Sequence, residues 1–195
     1  MKLVKILIII SIFFLPSSLL ADDEYFPGKI FSERPGIQKF VSDWYCQHLK
    51  ALGEPSVYQK RTKENKTIIR FTWLRTFDHP IVFRLETNND GSGTLYTKVT
   101  NGAGGYQPGV IIKDVTKTIQ KQTVSTFITS VENNEFWGLP SRIETSGLDG
   151  SHWIIEYVSN GKYHLVDRWS PKSGAIREIG LNLLELSGLK VDEIY

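Results

Sequence analysis

Apolar positions change their period several times along this chain, and each change marks an element. Between Pro35 and Leu52, the residues Ile37, Phe40, Val41, Trp44, Tyr45, His48, Leu49 and Leu52 recur at three- and four-residue intervals. That spacing puts them on one stripe and predicts a helix, with Ser32 as its cap and Gly53 and Pro55 as its stop. Cys46 falls off the stripe. From Thr67 the pattern becomes β-branched and alternating, which predicts strands over Thr67–Arg75, Ile81–Thr87, Thr94–Thr100 and Val110–Val115. The turns lie at 76–80 and 88–93, and a glycine-rich loop occupies 101–109. Connections this short favour an antiparallel meander. Helical spacing returns over Ile119–Asn133, with Val124, Phe127, Ile128 and Val131 as its core face. Ser151–Val158 and Lys162–Trp169 then flank Asn160-Gly161, the strongest hairpin signal in the chain. Ser170-Pro171 opens a last helix that buries Ile176, Ile179, Leu183 and Leu186 and ends at Gly188. The fold class is α+β: an antiparallel sheet, four-strand meander plus hairpin, packed with about three helices.

A two-residue type I′ turn at Asn160-Gly161 fixes the hairpin register. Glu156 then lies opposite Leu165, Ile154 opposite Asp167, and Trp153 opposite Arg168. One face carries Ile154, Glu156, Val158, Tyr163, Leu165, Asp167 and Trp169; the other carries Trp153, Ile155, Tyr157, His164, Val166 and Arg168. Both faces are largely apolar, which predicts a covered, central pair of strands. Glu156 and Asp167 become diagonal neighbours on one face, about 7–8 Å apart at Cα. Two carboxylates on such a face demand partners. Arg75, Arg84 and His79, on the first hairpin and its turn, are the expected ones. The structural consequence is a buried ion-pair and hydrogen-bond network. The catalytic alternative is an acid/base pair of Glu156 and Asp167, with His79, at a spacing that suits glycoside hydrolysis. Arg168 opposite Trp153 suggests a cation–π contact.

The amino terminus changes the picture of where the chain works. Lys2 and Lys5 precede the apolar run Ile6–Leu15, then Pro16-Ser17-Ser18, and Ala21 stands before Asp22-Asp23-Glu24. This is the layout of a secretory signal peptide, Met1–Ala21, followed by a single domain over 22–195 that is periplasmic or secreted and has no integral membrane span after cleavage; an uncleaved anchor is the alternative, because Leu19 stands where a small residue is usual at −3. The formal charge of +2 resides in that leader: Lys2 and Lys5 are two of the 23 basic residues, so the remaining 21 balance the 21 acidic ones. A neutral body argues against nucleic acid or a polybasic membrane contact. Cys46 is the only cysteine and forms no intrachain disulfide.

Gly102–Gly109 lacks the Gly-Lys-Ser/Thr ending of a phosphate loop and reads as a tight connection, with Tyr106 placed to touch a ligand or partner. His48, His79, His152 and His164 show no metal-ligand spacing, and no Gly-x-Ser-x-Gly occurs, so neither a metal nor another cofactor is expected. Ser151-His152 beside Asp149 is not a triad by nearness alone. An exposed pair among Trp44, Trp73, Trp137, Trp153 and Trp169 would mark a sugar- or peptide-binding face. Asn65-Lys66-Thr67 matches a glycosylation acceptor and reads as chance in a chain of bacterial appearance.

Trp73–Pro80, Gly102–Gly109, Gly147–Trp153 and Asp167–Pro171 together resemble a group of small exported bacterial proteins without an assigned activity. The resemblance spans about Ile68–Leu189. It implies an exported single domain and transfers no functional residue. The expected function is an exported binding or interaction protein without catalytic activity, its partner a protein or envelope component, with Arg75, Arg84, Tyr106 and Arg168 as binding candidates. The alternatives are an envelope-acting hydrolase using Glu156, Asp167 or His79, and a structural subunit of an envelope assembly.

Overall fold

The computed structural model describes residues 25–62, 66–143, 145, 147 and 149–195. The leader Met1–Ala21 and Asn65 of the glycosylation motif lie outside the described residues. Among the described residues, six strands form one sheet in the order β4-β3-β2-β1-β5-β6, every neighbouring pair antiparallel. The meander is β1 (Ile68–Arg75), β2 (Ile81–Thr87), β3 (Gly93–Thr100) and β4 (Ile111–Ile119); the hairpin is β5 (Ser151–Ser159) and β6 (Lys162–Trp169). The fold is α+β, as the periodicity predicts. Helices α1 (Pro35–Ala51) and α2 (Val57–Lys60) cover one face, and α3 (Lys121–Asn133) and α4 (Ala175–Ser187) cover the other. No helix among the described residues is long and apolar enough to cross a membrane.

β1 is the axis of the molecule, and all eight of its residues are buried. Its alternation sends Ile69, Phe71 and Trp73 into the core with α3 and α4, and Leu74 into a second core with Val41, Tyr45 and Leu49 of α1. Period-two alternation with both faces covered explains a strand that reads as nearly continuous apolar sequence. The meander leaves β1 on one side, and β5 joins it on the other, pairing Ile68 with Val158 through Arg75 with Ser151.

The hairpin register is the expected one, with Ser159 opposite Lys162, Glu156 opposite Leu165 and Trp153 opposite Arg168. Asn160 and Gly161 hold φ of 50° and 75°, the pair of positive values a type I′ turn requires. The expectation of a central pair is half corrected: β5 is internal, whereas β6 is an edge strand. Its edge is shielded locally, because the Asp167 N–H donates to the Ser141 carbonyl at 2.7 Å.

Other boundaries move for local reasons. The α1 N-cap is Arg34, and Ser32 Oγ instead accepts the Arg34 N–H. β4 runs on to Ile119 because it pairs with β3 over its whole length, which delays α3 to Lys121. α4 begins only at Ala175, since Gly174 at φ 87° breaks the chain before it, and Gly188 at φ 74° ends it. The short α2, capped by Ser56 Oγ on the Gln59 N–H, has too few residues to show a periodicity. On α1, Val41, Tyr45, His48 and Leu49 are buried, but Ile37 and Phe40 of the predicted stripe are exposed, Phe40 by 68%. Ile37 instead lines an open pocket with Arg142 and Ile143, and Phe40 one with Tyr106.

Candidate functional site

Three clusters on the α1 side of the sheet contain Glu156, Arg84, Asp167 and Tyr106 of the predicted site residues. The first is sealed. Arg70 on β1 lies directly opposite Glu156 on β5, and its Nε donates to Glu156 Oε2 at 2.6 Å. Tyr163 Oη donates to Glu156 Oε1 at 2.9 Å. Arg70 also faces Arg84 across β1–β2, and Glu54, from the segment after α1, comes between the two guanidiniums. Arg84 Nε donates to Glu54 at 2.7 Å, Lys98 Nζ lies 3.1 Å from the same carboxylate, and Arg84 also pairs with Glu86. Burial pushes the Glu54 carboxyl up, but Arg84, Arg70 and Lys98 outweigh it and hold its pKa below the ordinary value. Burial likewise opposes the charge on Arg70, and Glu156 and Glu54 more than offset it. A charge left without its partner here would be strongly unfavourable, so the cluster holds together as a unit.

The second cluster surrounds Asp167. Its Oδ1 lies 2.9 Å from His152 Nδ1, and its Oδ2 accepts from Tyr45 Oη at 2.8 Å and lies 3.3 Å from Arg142 Nε. Tyr45 Oη is also 2.8 Å from His152 Nδ1. Burial, then the adjacent Asp167, pushes the Tyr45 hydroxyl well above the usual tyrosine range, so it remains a donor. A carboxylate oxygen accepts, so His152 Nδ1 is the donor in its contact with Asp167. The ring is bracketed edge-on by Trp44 at 5.2 Å and Trp169 at 4.8 Å. A cavity of about 170 Å³, lined by His152, Asp167, Arg142 and Trp169 among others, opens beside it.

The third cluster is aromatic. Phe40, Asp43, Trp44 and Gln47 occupy one face of α1 at i, i+3, i+4 and i+7, and with Gly105, Tyr106 and Gln107 they line a groove of about 470 Å³. Phe40 and Trp44 lie 6.4 Å apart; Tyr106, 59% exposed, stacks on exposed Phe77 at 6.1 Å and 29°. The glycine-rich loop holds Tyr106 rigidly. Gly104 N–H donates to the Arg75 and Asp78 carbonyls at 2.8 and 3.0 Å, and Gly105 N–H to the Thr76 carbonyl at 3.1 Å. A Cβ at 104 would stand 2.5 Å from backbone atoms of Arg75, so only glycine permits that approach. Trp44 Nε1 donates to the Gly104 carbonyl at 3.1 Å and ties α1 to the loop.

These placements correct several expectations. Arg75, Arg84 and His79 do not pair with Glu156 or Asp167. Arg84 belongs to Glu54 and Glu86; Arg75 lies over the Trp73 ring and donates to the His79 carbonyl; His79 is exposed, with Nδ1 at 3.0 Å from the Gly102 carbonyl. The reason is topological. β5 docks against β1, so the neighbours of the acids come from β1, α1 and the 141–142 segment rather than from the first turn. Glu156 and Asp167 share a face, as expected, but serve two separate networks. Arg168 does not stack on Trp153. It reaches the Pro140 carbonyl at 2.8 Å, and the cation over Trp153 is Arg177, at 5.6 Å. Arg75, His79 and Tyr106 do converge, at the glycine-rich loop, where the first two help to frame the third.

Arg70, Glu54, Tyr45, His152, Phe40 and Phe77 were missed as site residues. For His152 a signal existed: it is one of the few polar residues on a strand otherwise rich in large side chains. No protein-family model matches the chain, and no curated protein matches it.

Proposed function

We propose that the protein is an exported binding module, and that the groove between α1 and the 102–109 loop receives its ligand. The observation that carries this reading is a set of exposed rings, Phe40, Phe77 and Tyr106, with half-buried Trp44 beside Phe40, on a scaffold braced by hydrogen bonds. Preorganised aromatic surface is the usual currency of recognition, because rigid rings offer area at low entropic cost. The dry, fully engaged Glu156 supports a structural role for that carboxylate and weakens the two-carboxylate hydrolase. The export assignment rests on the leader sequence and on the resemblance to exported bacterial proteins.

The test compares wild type with a Phe40→Ala/Tyr106→Ala variant, both immobilised and exposed to extract of the native envelope. Loss of retained protein or glycan in the variant, with unchanged melting temperature, supports the reading. Equal retention overturns it. Fractionation of cells carrying the tagged full chain checks export separately.

A second reading, hydrolysis, is favoured by one arrangement: an oriented Asp167–His152 pair beside a small cavity. Turnover of an envelope substrate that His152→Gln abolishes without changing stability would establish it in place of the binder.

A further inference from the structure

We propose that the ligand of the α1–loop groove is a neutral glycan, seated by stacking of sugar rings on Phe40, half-buried Trp44 and Tyr106, the last backed by Phe77; this rests on the binding reading above. Three observations select that class.

The first is charge. The only ionisable group among the groove residues that carries charge at neutral pH is Asp43, and Lys39 Nζ already lies 2.6 Å from it. A groove without net charge has nothing to repay the desolvation of an anionic or cationic ligand.

The second is the polar complement. Gln107 supplies a side-chain amide, Gln47 an amide whose Nε2 donates to the Tyr106 carbonyl at 3.5 Å and whose oxygen is an acceptor, and Asp43 a carboxylate, beside the rings. Amides both donate and accept, which matches hydroxyl groups of either polarity. Apolar faces with a hydroxyl rim are the surface of a pyranose.

The third concerns Trp44. Its indole donor is already spent on the Gly104 carbonyl at 3.1 Å, so Trp44 offers a ring, not an N–H. A proline-rich peptide, which also docks in aromatic grooves, is the competing ligand that the experiment includes. The groove volume, about 470 Å³, falls in the range of small-molecule sites, roughly 300–1,000 Å³.

The experiment titrates the protein with chitotetraose, cellotetraose, tetragalacturonate and a proline-rich decapeptide, followed by tryptophan fluorescence and calorimetry. A neutral tetrasaccharide is expected to saturate, with Tyr106→Ala and Phe40→Ala each weakening it about tenfold and Gln47→Ala weakening it less. Both rings are more than half exposed, so the melting temperature is expected to stay unchanged in these variants. Preference for the acidic tetrasaccharide or the peptide overturns the glycan assignment and leaves the binding module standing. Failure of every probe also overturns the glycan assignment, while the envelope-retention comparison decides the module separately. Neutral saccharide binding that survives both ring substitutions overturns the placement of the site.

Discussion

Arg70 and Glu156 face each other across β1 and β5, joined at 2.6 Å, with neither side chain exposed to water. An ion pair in that position is held by mutual dependence, since either charge alone would be stranded in the core. Glu156→Gln or Arg70→Met is therefore expected to cost about 3–5 kcal/mol, read as a fall of roughly 10 °C or more in melting temperature. The double variant Arg70→Met/Glu156→Leu is expected to recover part of the loss. Single variants that melt like wild type would refute the coupling.

Asp167 is set differently, because its partners reach a cavity. Tyr45→Phe removes one donor to the carboxylate and is expected to cost about 1–2 kcal/mol. Asp167→Asn is expected to cost more, since Arg142 and His152 lose a charged acceptor together. Denaturant unfolding monitored by tryptophan emission is a direct readout, as Trp44 and Trp169 both touch His152. If both variants unfold like wild type, the cluster has no structural role.

Acid sensitivity follows from His48 and Glu54. Burial lowers the His48 pKa from 6.5 to about 4, with the Gly104 backbone offsetting only part of it. The unfolded chain thus binds a proton between those values that the folded chain refuses, and stability falls as pH drops from 6.5 to about 4, by about 3 kcal/mol. Glu54, whose folded pKa lies below its usual value, adds stability that is complete above about 4.5 and lost as pH falls through the folded value. His48→Leu is expected to flatten the first limb and Glu54→Gln the second, measured as melting temperature against pH. An unaltered profile in His48→Leu would exclude this assignment.

Gly104 sets the loop that presents Tyr106. Gly104→Ala places a methyl 2.5 Å from the Arg75 backbone, so the loop must lift away from β1. The expected result is a cost of more than about 2 kcal/mol together with loss of ligand retention. Gly138→Ala, where a Cβ meets nothing within 4 Å, is the matched control and is expected to be silent.

The residues that turned out differently from their sequence reading share a cause. Phe40 and Ile37 have the spacing of buried positions, yet they line open pockets and remain exposed. Periodicity reports which residues share a face, not whether anything lies opposite. Arg75, Arg84 and His79 are the expected partners of the acids because they lie on the first hairpin and its turn, whereas Arg70 meets Glu156 and Tyr45 and His152 meet Asp167 in the folded chain. The signal that separates these sets is the pairing of β5 with β1, across a gap that holds β2, β3, β4 and α3.

What the chain determined by itself was local: the meander, the β5–β6 register through Asn160-Gly161, the shared face of Glu156 and Asp167, and the end of α4 at Gly188. These depend on backbone preference and on side-chain alternation over a few residues, both written in adjacent positions. Tertiary structure decided which strand β5 joined, which arginine met Glu156, and which rings stayed in water. Those outcomes depend on contacts between segments tens of residues apart, where loop-closure entropy and core packing, rather than local pattern, select the partner.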